Sequence, residues 1–436
     1  MNEMHTNGEK KNLIAHRHYS GFPLAHDTYN ALSVASDGCI YYVLSSEDFR
    51  IGGHVYRYDP HIGESNLIGD LTVLCGEETS NAIGQGKSHV EFFEMGGKLY
   101  YSTHVGVYEL IDGMDRMYEN PPEGLGLYPG GHILAYDMKT GQTEDLALVP
   151  HGEGMVSMTM DTDRGQIYGL TWPTGNFIHY DVGAGQLHDL GPVALRGEGG
   201  EPGQDFRTLC RSLVVDPRDG AVYFTVSEGD IHFYRPGEGE IRTMPNANLR
   251  LDYFGRFDPT RPGSMAYHWR KVFWYNPENV AVGVHGNSGY LFRFSPDEDR
   301  VELIERITSL PSQKSGMSDQ FSYGYLGYAL GPDQETVYYL TGGPIYEDGK
   351  RIEGVRDIAK GAARGLENLH LVTFHLPTAK YTDHGAIFYE DGSRPTYVNS
   401  IAVTPDRVYF LARMEVDGRE IQDLAWVDIP AMEHTP

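Results

Sequence analysis

Residues 157–190 read SMTMDTDRGQIYGLTWPTGNFIHYDVGAGQLHDL, and this segment carries the clearest pattern in the chain. Short runs rich in β-branched and aromatic residues follow one another, and they are bounded by tight-turn sequences such as DRG. Alternation with a period of two is typical of strands, and turns of this kind join antiparallel neighbours. The segment therefore predicts one four-stranded antiparallel sheet.

The same pattern returns along the chain. Residues 212–244 repeat it, and residues 91–108 (EFFEMGGKLYYSTHVGVY) repeat its first half, which HILAYDMKTGQTEDL completes at 132–146. With the further copies there are about seven units at a spacing of roughly 40 to 50 residues, as expected of propeller blades. We therefore expect an all-β fold, a single seven-bladed β-propeller over residues 1–436. Two β-sandwich domains are the alternative, which the lack of a linker disfavours.

The two ends of the chain are expected to meet in the last blade. Its copy of the pattern lacks an outer strand, and the N-terminal sequence NLIAHRHYS at 12–20 can supply one. Two insertions, at about 107–130 and 344–367, interrupt the period between the second and third strands of their units. Both insertions should rise on one face, where long loops often form functional walls.

Composition excludes several classes of partner and location. The chain has 61 acidic and 35 basic residues, a net charge of −26, which opposes nucleic acid and anionic membrane surfaces. Three cysteines without CxxC spacing indicate reduced thiols rather than a disulfide framework. No apolar run is long enough to span a membrane, and no signal peptide is visible, so we expect a cytoplasmic protein unless a leader was removed.

Polar side chains gather at one predicted rim, because the starts of first strands and the ends of second strands meet at the same edge. The second strands end at His104, Trp172, His285 and Arg413. The first strands begin at His89, Arg211, Tyr325 and Asn399, with Arg270 less securely aligned. One repeated mid-strand position holds tyrosines assigned to the core: Tyr100, Tyr168, Tyr223, Tyr338 and Tyr409.

Several readings of this rim stay open. A single histidine at a strand end is more often structural, but titratable groups converging on one mouth predict a binding or catalytic site. Gly286 and Gly289 beside His285 suggest room for a bound molecule. His89, His104 and His285 can also hold one divalent metal ion such as Ca, Mn or Zn, since borderline cations accept imidazole nitrogen.

Two further classes of function are alternatives to a histidine-based enzyme. A glycoside hydrolase needs two carboxylates, and five acidic residues are candidates to approach the mouth: Glu91, Glu153, Glu228, Asp230 and Asp319. A non-enzymatic propeller that binds a peptide or protein is the other alternative.

The segments SHVEFF (88–93) and YYSTHVG (100–106), with the blade number and the Arg and Tyr groups on the same rim, carry a resemblance over nearly the full chain. The chain resembles the seven-bladed propeller polysaccharide lyases, including ulvan lyases and rhamnose-glucuronate lyases. In those families two histidines of one blade are followed by a Tyr and an Arg of the next. Here the next blade offers Trp172 in that place.

The resemblance implies β-elimination at a uronic acid in a small carbohydrate substrate. His89 and His104 would be base and acid in either order, with Tyr325 as a reserve proton carrier, because imidazole titrates near neutral pH. Arg211 and Arg270 would hold the carboxylate, and Trp172 would stack on sugar. The remaining candidates for substrate binding are His285, Asn399 and Arg413. The net charge of −26 favours a short oligosaccharide over a long polyanion.

Overall fold

The computed structural model describes residues 12–111, 113–315, 327–344, 346–347, 350–351 and 367–429. These residues form seven four-stranded units, here called blades, in which successive strands pair antiparallel. The innermost strands of blades three to seven contact one another in order, and that of blade seven contacts that of blade one. The prediction of an all-β, multi-bladed fold is confirmed.

The N-terminal strand is β1 (Leu13–Arg17). Blade one consists of β2 (Leu32–Val34), β3 (Ile40–Leu44), β4 (His54–Asp59) and β5 (Glu64–Asp70). Blade two consists of β6 (Phe93–Met95), β7 (Lys98–Ser102), β10 (His132–Asp137) and β11 (Thr143–Leu148). A hairpin of β8 (Glu109–Ile111) and β9 (Met114–Arg116) lies between β7 and β10 in the sequence. Blade three consists of β12 (Gly154–Asp161), β13 (Gln166–Trp172), β14 (Asn176–Asp181) and β15 (Gln186–Pro192).

Blade four consists of β16 (Val214–Val215), β17 (Val222–Thr225), β18 (Asp230–Tyr234) and β19 (Ile241–Asn248). Blade five consists of β20 (Trp269–Tyr275), β21 (Val280–His285), β22 (Tyr290–Ser295) and β23 (Arg300–Arg306). Blade six consists of β24 (Tyr328–Leu330), β25 (Thr336–Pro344), β28 (Glu367–His375) and β29 (Lys380–Tyr389). A short hairpin follows β25 and consists of β26 (Tyr346–Glu347) and β27 (Lys350–Arg351). Blade seven consists of β30 (Ala402–Val403), β31 (Arg407–Val416), β32 (Arg419–Asp428) and β1.

The burial pattern explains why each blade is built from these residues. Every residue of β12 is buried, since the innermost strands face the axis and both neighbouring blades. The outer strand β15 alternates between half-buried and exposed positions, as expected of a strand with one solvated face. The five mid-strand tyrosines assigned to the core are buried, as expected: Tyr100, Tyr168, Tyr223, Tyr338 and Tyr409.

The start of the chain lies in the last blade. Strand β1 pairs antiparallel with β32, Ala15 opposite Val427, and parallel with β29, Leu13 opposite Ile387. Blades six and seven are thereby joined into one eight-stranded sheet. Main-chain hydrogen bonds between chain start and chain end close the ring without a covalent link.

The described helices are short: α1 (Leu71–Leu74) and α2 (Leu310–Ser315). Within the described ranges, no helix has the length and apolar character needed to cross a membrane. The first insertion forms the β8–β9 hairpin. Most of the second insertion lies outside the described residues.

Candidate functional site

A cavity of about 230 Å³ lies on the axis, at the end of the ring where the innermost strands begin. Its wall is built by residues that precede or begin the innermost strands of blades one to five, by residues that end or follow the second strands of blades two and three, and by the tip of the β8–β9 hairpin. Five of the residues predicted from the rim alignment line it together: His89, His104, Trp172, Arg211 and Arg270. These five residues, which were selected by aligning strand ends in the sequence, therefore lie around one cavity.

The two histidines of blade two lie side by side. Their ring centroids are 4.4 Å apart at an interplanar angle of 62°. Paired backbone hydrogen bonds join Lys87 to His104, with N···O distances of 2.9 and 2.7 Å, so the segment entering the blade is fixed against the end of its second strand. This pairing places His89, two residues after Lys87, against the His104 ring.

The hydrogen bonds of His104 define its tautomer. Its Nδ1 lies 2.9 Å from the carbonyl oxygen of Val105, which can only accept, so Nδ1 carries the proton and Nε2 keeps its lone pair. The side chain is 1% exposed, and Nε2 is buried with no hydrogen-bond partner in the described part of the chain. Burial, reinforced by Lys87 and Arg211, lowers the His104 pKa to about 3. The imidazole is therefore neutral at pH 7.

Glu198 links two candidate residues on the opposite wall. Its Oε1 accepts a hydrogen bond from Nη2 of Arg211 at 2.6 Å, and its Oε2 accepts one from Nε1 of Trp172 at 2.9 Å. The backbone N of Leu209 also donates to Oε1, at 3.0 Å. The backbone carbonyl of Glu198 accepts from Arg116 at 2.8 Å, which ties the β8–β9 hairpin to the same loop. One carboxylate therefore orients a cation and an indole.

Aromatic rings form the remaining side of the cavity. Tyr108 meets Trp172 edge to face, with centroids 5.3 Å apart, and the Trp172 ring is 5.5 Å from that of His104. Tyr29 stacks on His89 at 5.1 Å, and its hydroxyl lies 2.7 Å from the hydroxyl of Tyr397. Aromatic faces with polar tips are suited to a ligand that has both C–H and O–H groups.

The cavity carries more positive than negative charge. Lys87 is 4% exposed, and its Nζ lies 4.7 Å from the centroid of Tyr108 and 3.6 Å from Glu47. Burial lowers the pKa of Lys87, against the opposing effects of Glu47 and Asp27. The charged lining residues are three cations, Lys87, Arg211 and Arg270, and two carboxylates, Asp115 and Glu198. An anionic group is favoured there although the whole chain is strongly acidic.

His285, Asn399 and Arg413 lie outside the lining of this cavity, and Tyr325 lies outside the described residues. The sequence suggested space beside His285, but its ring is fully buried and stacks on Phe254 with centroids 4.3 Å apart. Arg413 instead forms an ion pair with Asp27. Asn399 is buried, and its backbone carbonyl oxygen accepts a hydrogen bond from the backbone N of Asn30.

The predicted metal ligands do not come together. His285 lies outside the cavity that holds His89 and His104. Over the described ranges, no group of three or more His, Cys, Asp or Glu side chains is arranged to hold a metal ion. The described residues therefore do not fit the divalent ion considered above.

The four described carboxylates among those considered for hydrolysis also lie outside the lining of the cavity. Glu91 pairs with Lys271, Glu228 with Arg207 and Asp230 with Arg250. Glu153 accepts hydrogen bonds from side chains around the end of β13. Asp319 lies outside the described residues.

Several lining residues were not singled out from the sequence: Tyr29, Lys87, Tyr108, Asp115 and Glu198. Lys87 and Tyr108 had a usable signal, since each lies within four residues of a predicted histidine. Glu198 had none, because it lies in a loop between blades that follows no repeated pattern.

No family model and no curated protein matches this chain. Among solved structures, a chain of the mitotic checkpoint complex is 12% identical with a TM-score of 0.51, covering 98% of this chain and 96% of that one. An oligogalacturonate lyase from Vibrio parahaemolyticus is 10% identical with a TM-score of 0.50, covering 97% and 98%.

A third solved structure is the extracellular domain of a protein assigned as a one component system from B. thetaiotaomicron. It is 11% identical with a TM-score of 0.47, and the match covers 94% of this chain but only 40% of that one. At these identities the likeness shows the propeller-like fold alone. Of the two structures with the higher TM-scores given above, one is named as a lyase and the other is not named as an enzyme.

Proposed function

We propose that this protein is a carbohydrate lyase that cleaves a short uronate-containing oligosaccharide by β-elimination. One observation carries the proposal: the buried, unprotonated Nε2 of His104 lies beside His89 in a cavity whose wall is rich in cations. A lyase needs this combination, because it must remove a weakly acidic proton next to a carboxylate and stabilise the resulting charge.

The proposed reaction assigns one role to each group. His104 Nε2 takes the C5 proton, the C–H electron pair forms the C4=C5 double bond, and the C4–O4 bond breaks. His89 delivers a proton to the departing O4, and solvent returns both histidines to their starting states. Arg211, supported by Lys87 and Arg270, holds the carboxylate while negative charge builds on it.

The low pKa of His104, about 3, is compatible with a base that works in the complex. A neutral imidazole is available at any pH near neutrality. Two of the groups that lower its pKa are Lys87 and Arg211. Burial is the larger cause of the low pKa, and a bound carboxylate would offset the two cations and so raise the pKa by their share. Binding of an anionic substrate would thus make His104 a stronger base.

A glycoside hydrolase is the second candidate, because Asp115 and Glu198 both line the cavity. Both carboxylate oxygens of Glu198 already accept hydrogen bonds, one from Arg211 and one from Trp172, so this carboxylate serves to orient its neighbours. The scaffold itself is compatible with elimination, since an oligogalacturonate lyase is among the structurally similar proteins.

The test is to incubate the protein with uronate-containing di- to tetrasaccharides and to follow two products. An unsaturated uronate, detected by its ultraviolet absorbance, supports a lyase. New reducing ends without that absorbance indicate hydrolysis and would replace the proposal. Loss of either activity should be checked in His104→Gln, with His61→Gln, an exposed turn residue, as the matched control.

A further inference from the structure

A second cavity, of about 250 Å³, lies further along the axis. The innermost strands β12, β16 and β20 form most of its wall, with Glu91 and Phe93 from blade two. It shares Asn30, His89 and Arg211 with the first cavity. These three residues, here called the neck, therefore lie between the two cavities.

The neck contains a buried acceptor and a buried donor that are both unsatisfied. Asn30 is 5% exposed, and its Nδ2 donates to the carbonyl of His89 at 3.1 Å, while its Oδ1 has no partner among the described residues. Arg211 uses Nη2 for Glu198, and its Nη1 is likewise unpartnered within the described chain. Buried polar atoms of this kind are normally satisfied. A hydroxyl group can donate to one and accept from the other.

Beyond Arg211, which it shares with the first cavity, the second cavity adds no uncompensated positive charge. Nζ of Lys271 lies 2.5 Å from Oε1 of Glu91, so the cation is already compensated. Thr159 adds a hydroxyl and Phe273 an aromatic surface to the wall. A second carboxylate would meet Glu91, whereas an uncharged ring with hydroxyl groups would meet hydrogen-bonding and apolar surface.

We propose that the two cavities are one binding site in two parts, with an uncharged, hydroxylated unit in the second cavity and its hydroxyl at the neck. The identity of the unit in the first cavity rests on the proposed function, a uronate bound by Arg211. Size supports the combination, because neither cavity alone reaches the roughly 300 Å³ typical of ligand sites and the two together do. In this arrangement the substrate extends along the ring axis instead of lying only on the face of the ring.

The experiment measures binding by calorimetry in a His104→Ala background, which prevents turnover. The probes are methyl glucuronide, a disaccharide of glucuronate and a neutral hexose, and a disaccharide of two glucuronates. We expect the mixed disaccharide to bind about tenfold or more tightly than the methyl glucuronide. The double uronate should show no such gain.

Substitutions that fill the second cavity should then abolish the tighter binding of the mixed disaccharide relative to methyl glucuronide. Thr159→Phe narrows it from blade three and Val215→Phe from blade four, so a folding defect in one variant leaves the other. The matched controls are Thr159→Ser, which keeps the hydroxyl, and Val215→Ile, which adds only one methylene group. In the two Phe variants the mixed disaccharide should bind as weakly as methyl glucuronide, whose own affinity should stay within about twofold.

Four results would overturn the inference. A gain that survives both Phe variants places the second unit elsewhere, and an equal gain for the double uronate contradicts an uncharged unit. Methyl glucuronide binding without any gain leaves the proposed function standing and removes the second part of the site. Failure of all three probes to bind refutes the proposed function and this inference together.

Discussion

Glu198 holds Arg211 by one side of its guanidinium, with Nη2 donating to Oε1 at 2.6 Å and Nη1 buried without a hydrogen-bond partner among the described residues. Both side chains are mostly buried, so the ion pair is weakly screened by solvent. The second oxygen of Glu198 is held by the Trp172 indole. Arg211 is therefore oriented before a ligand arrives, and part of its charge stays available to an anion.

The Glu198→Gln variant tests how the negative charge of Glu198 contributes to the orientation of Arg211. The amide still offers an oxygen to Trp172 but no longer neutralises Arg211, so the cavity becomes more positive. We expect turnover of a uronate substrate to fall by about 10-fold to 100-fold, as for other misplaced groups, while the Michaelis constant stays level or falls. Steady-state kinetics measure both. Glu201→Gln, an exposed position in the same loop, is the control for the lost charge.

A rise in the Michaelis constant with unchanged turnover would contradict this role. It would mean that Glu198 contributes to uniform substrate binding rather than to the orientation of Arg211.

His104→Gln tests the assignment of the base. Glutamine retains a polar group of similar reach but cannot take up a proton, so turnover should drop by about 10²-fold to 10⁴-fold. Because His104 is buried, the unfolding midpoint is measured on the same variant, so that a folding defect is distinguished from lost chemistry. His61→Gln should behave as the wild type in both measurements. Wild-type turnover in His104→Gln would remove the residue from the chemistry.

The fold was predictable because the repeat is visible in local patterns. The turn sequence DRG at 163–165 lies next to the strand-forming residues of β13, so a few consecutive residues indicate both the turn and the strand. Gly165 adopts φ +66°, and its N–H bonds back to Asp161 at 2.8 Å, which is the tight turn that the sequence indicates. Local agreement of this kind, repeated around the ring, needs no long-range information.

The site was only partly predictable, because loops between blades decide which rim residues face the axis. His285 ends its strand at the expected rim, but Phe254, from the connection between blades four and five, covers its ring. Glu198 reaches the cavity from the connection between blades three and four. Arg413 is captured by Asp27, which comes from the start of the chain. None of these long-range contacts follows the repeat.

His132 should make stability depend on pH. Burial lowers its pKa, but hydrogen bonds to Asp145 at 2.9 Å and Glu77 at 3.0 Å outweigh this and raise it to about 9. A group with a raised folded-state pKa stabilises fully below its unfolded value of about 6.5 and loses that effect as pH rises through its folded value. The His132→Gln variant should therefore have a lower free energy of unfolding than the wild type below about pH 6.5, and this difference should shrink as the pH rises to about 9.

Urea titrations of both proteins across this range measure the difference. A deficit that is constant with pH would show that His132 gains no proton affinity on folding, and that its two carboxylate contacts matter only as hydrogen bonds.

Arg413 and Asp27 should form a clasp that holds the start of the chain to blade seven. Nε of Arg413 donates to Asp27 Oδ1 at 2.8 Å and Nη2 to Oδ2 at 2.5 Å, and both side chains are largely buried. Arg413→Met leaves the Asp27 carboxylate buried without its cation, which should cost about 3 to 5 kcal/mol in free energy of unfolding. The double variant Asp27→Asn/Arg413→Met should be clearly more stable than Arg413→Met, because no uncompensated charge remains. Denaturant unfolding of the two single variants and the double variant completes the cycle. A cost below about 1 kcal/mol, as for an exposed ion pair, would refute the clasp.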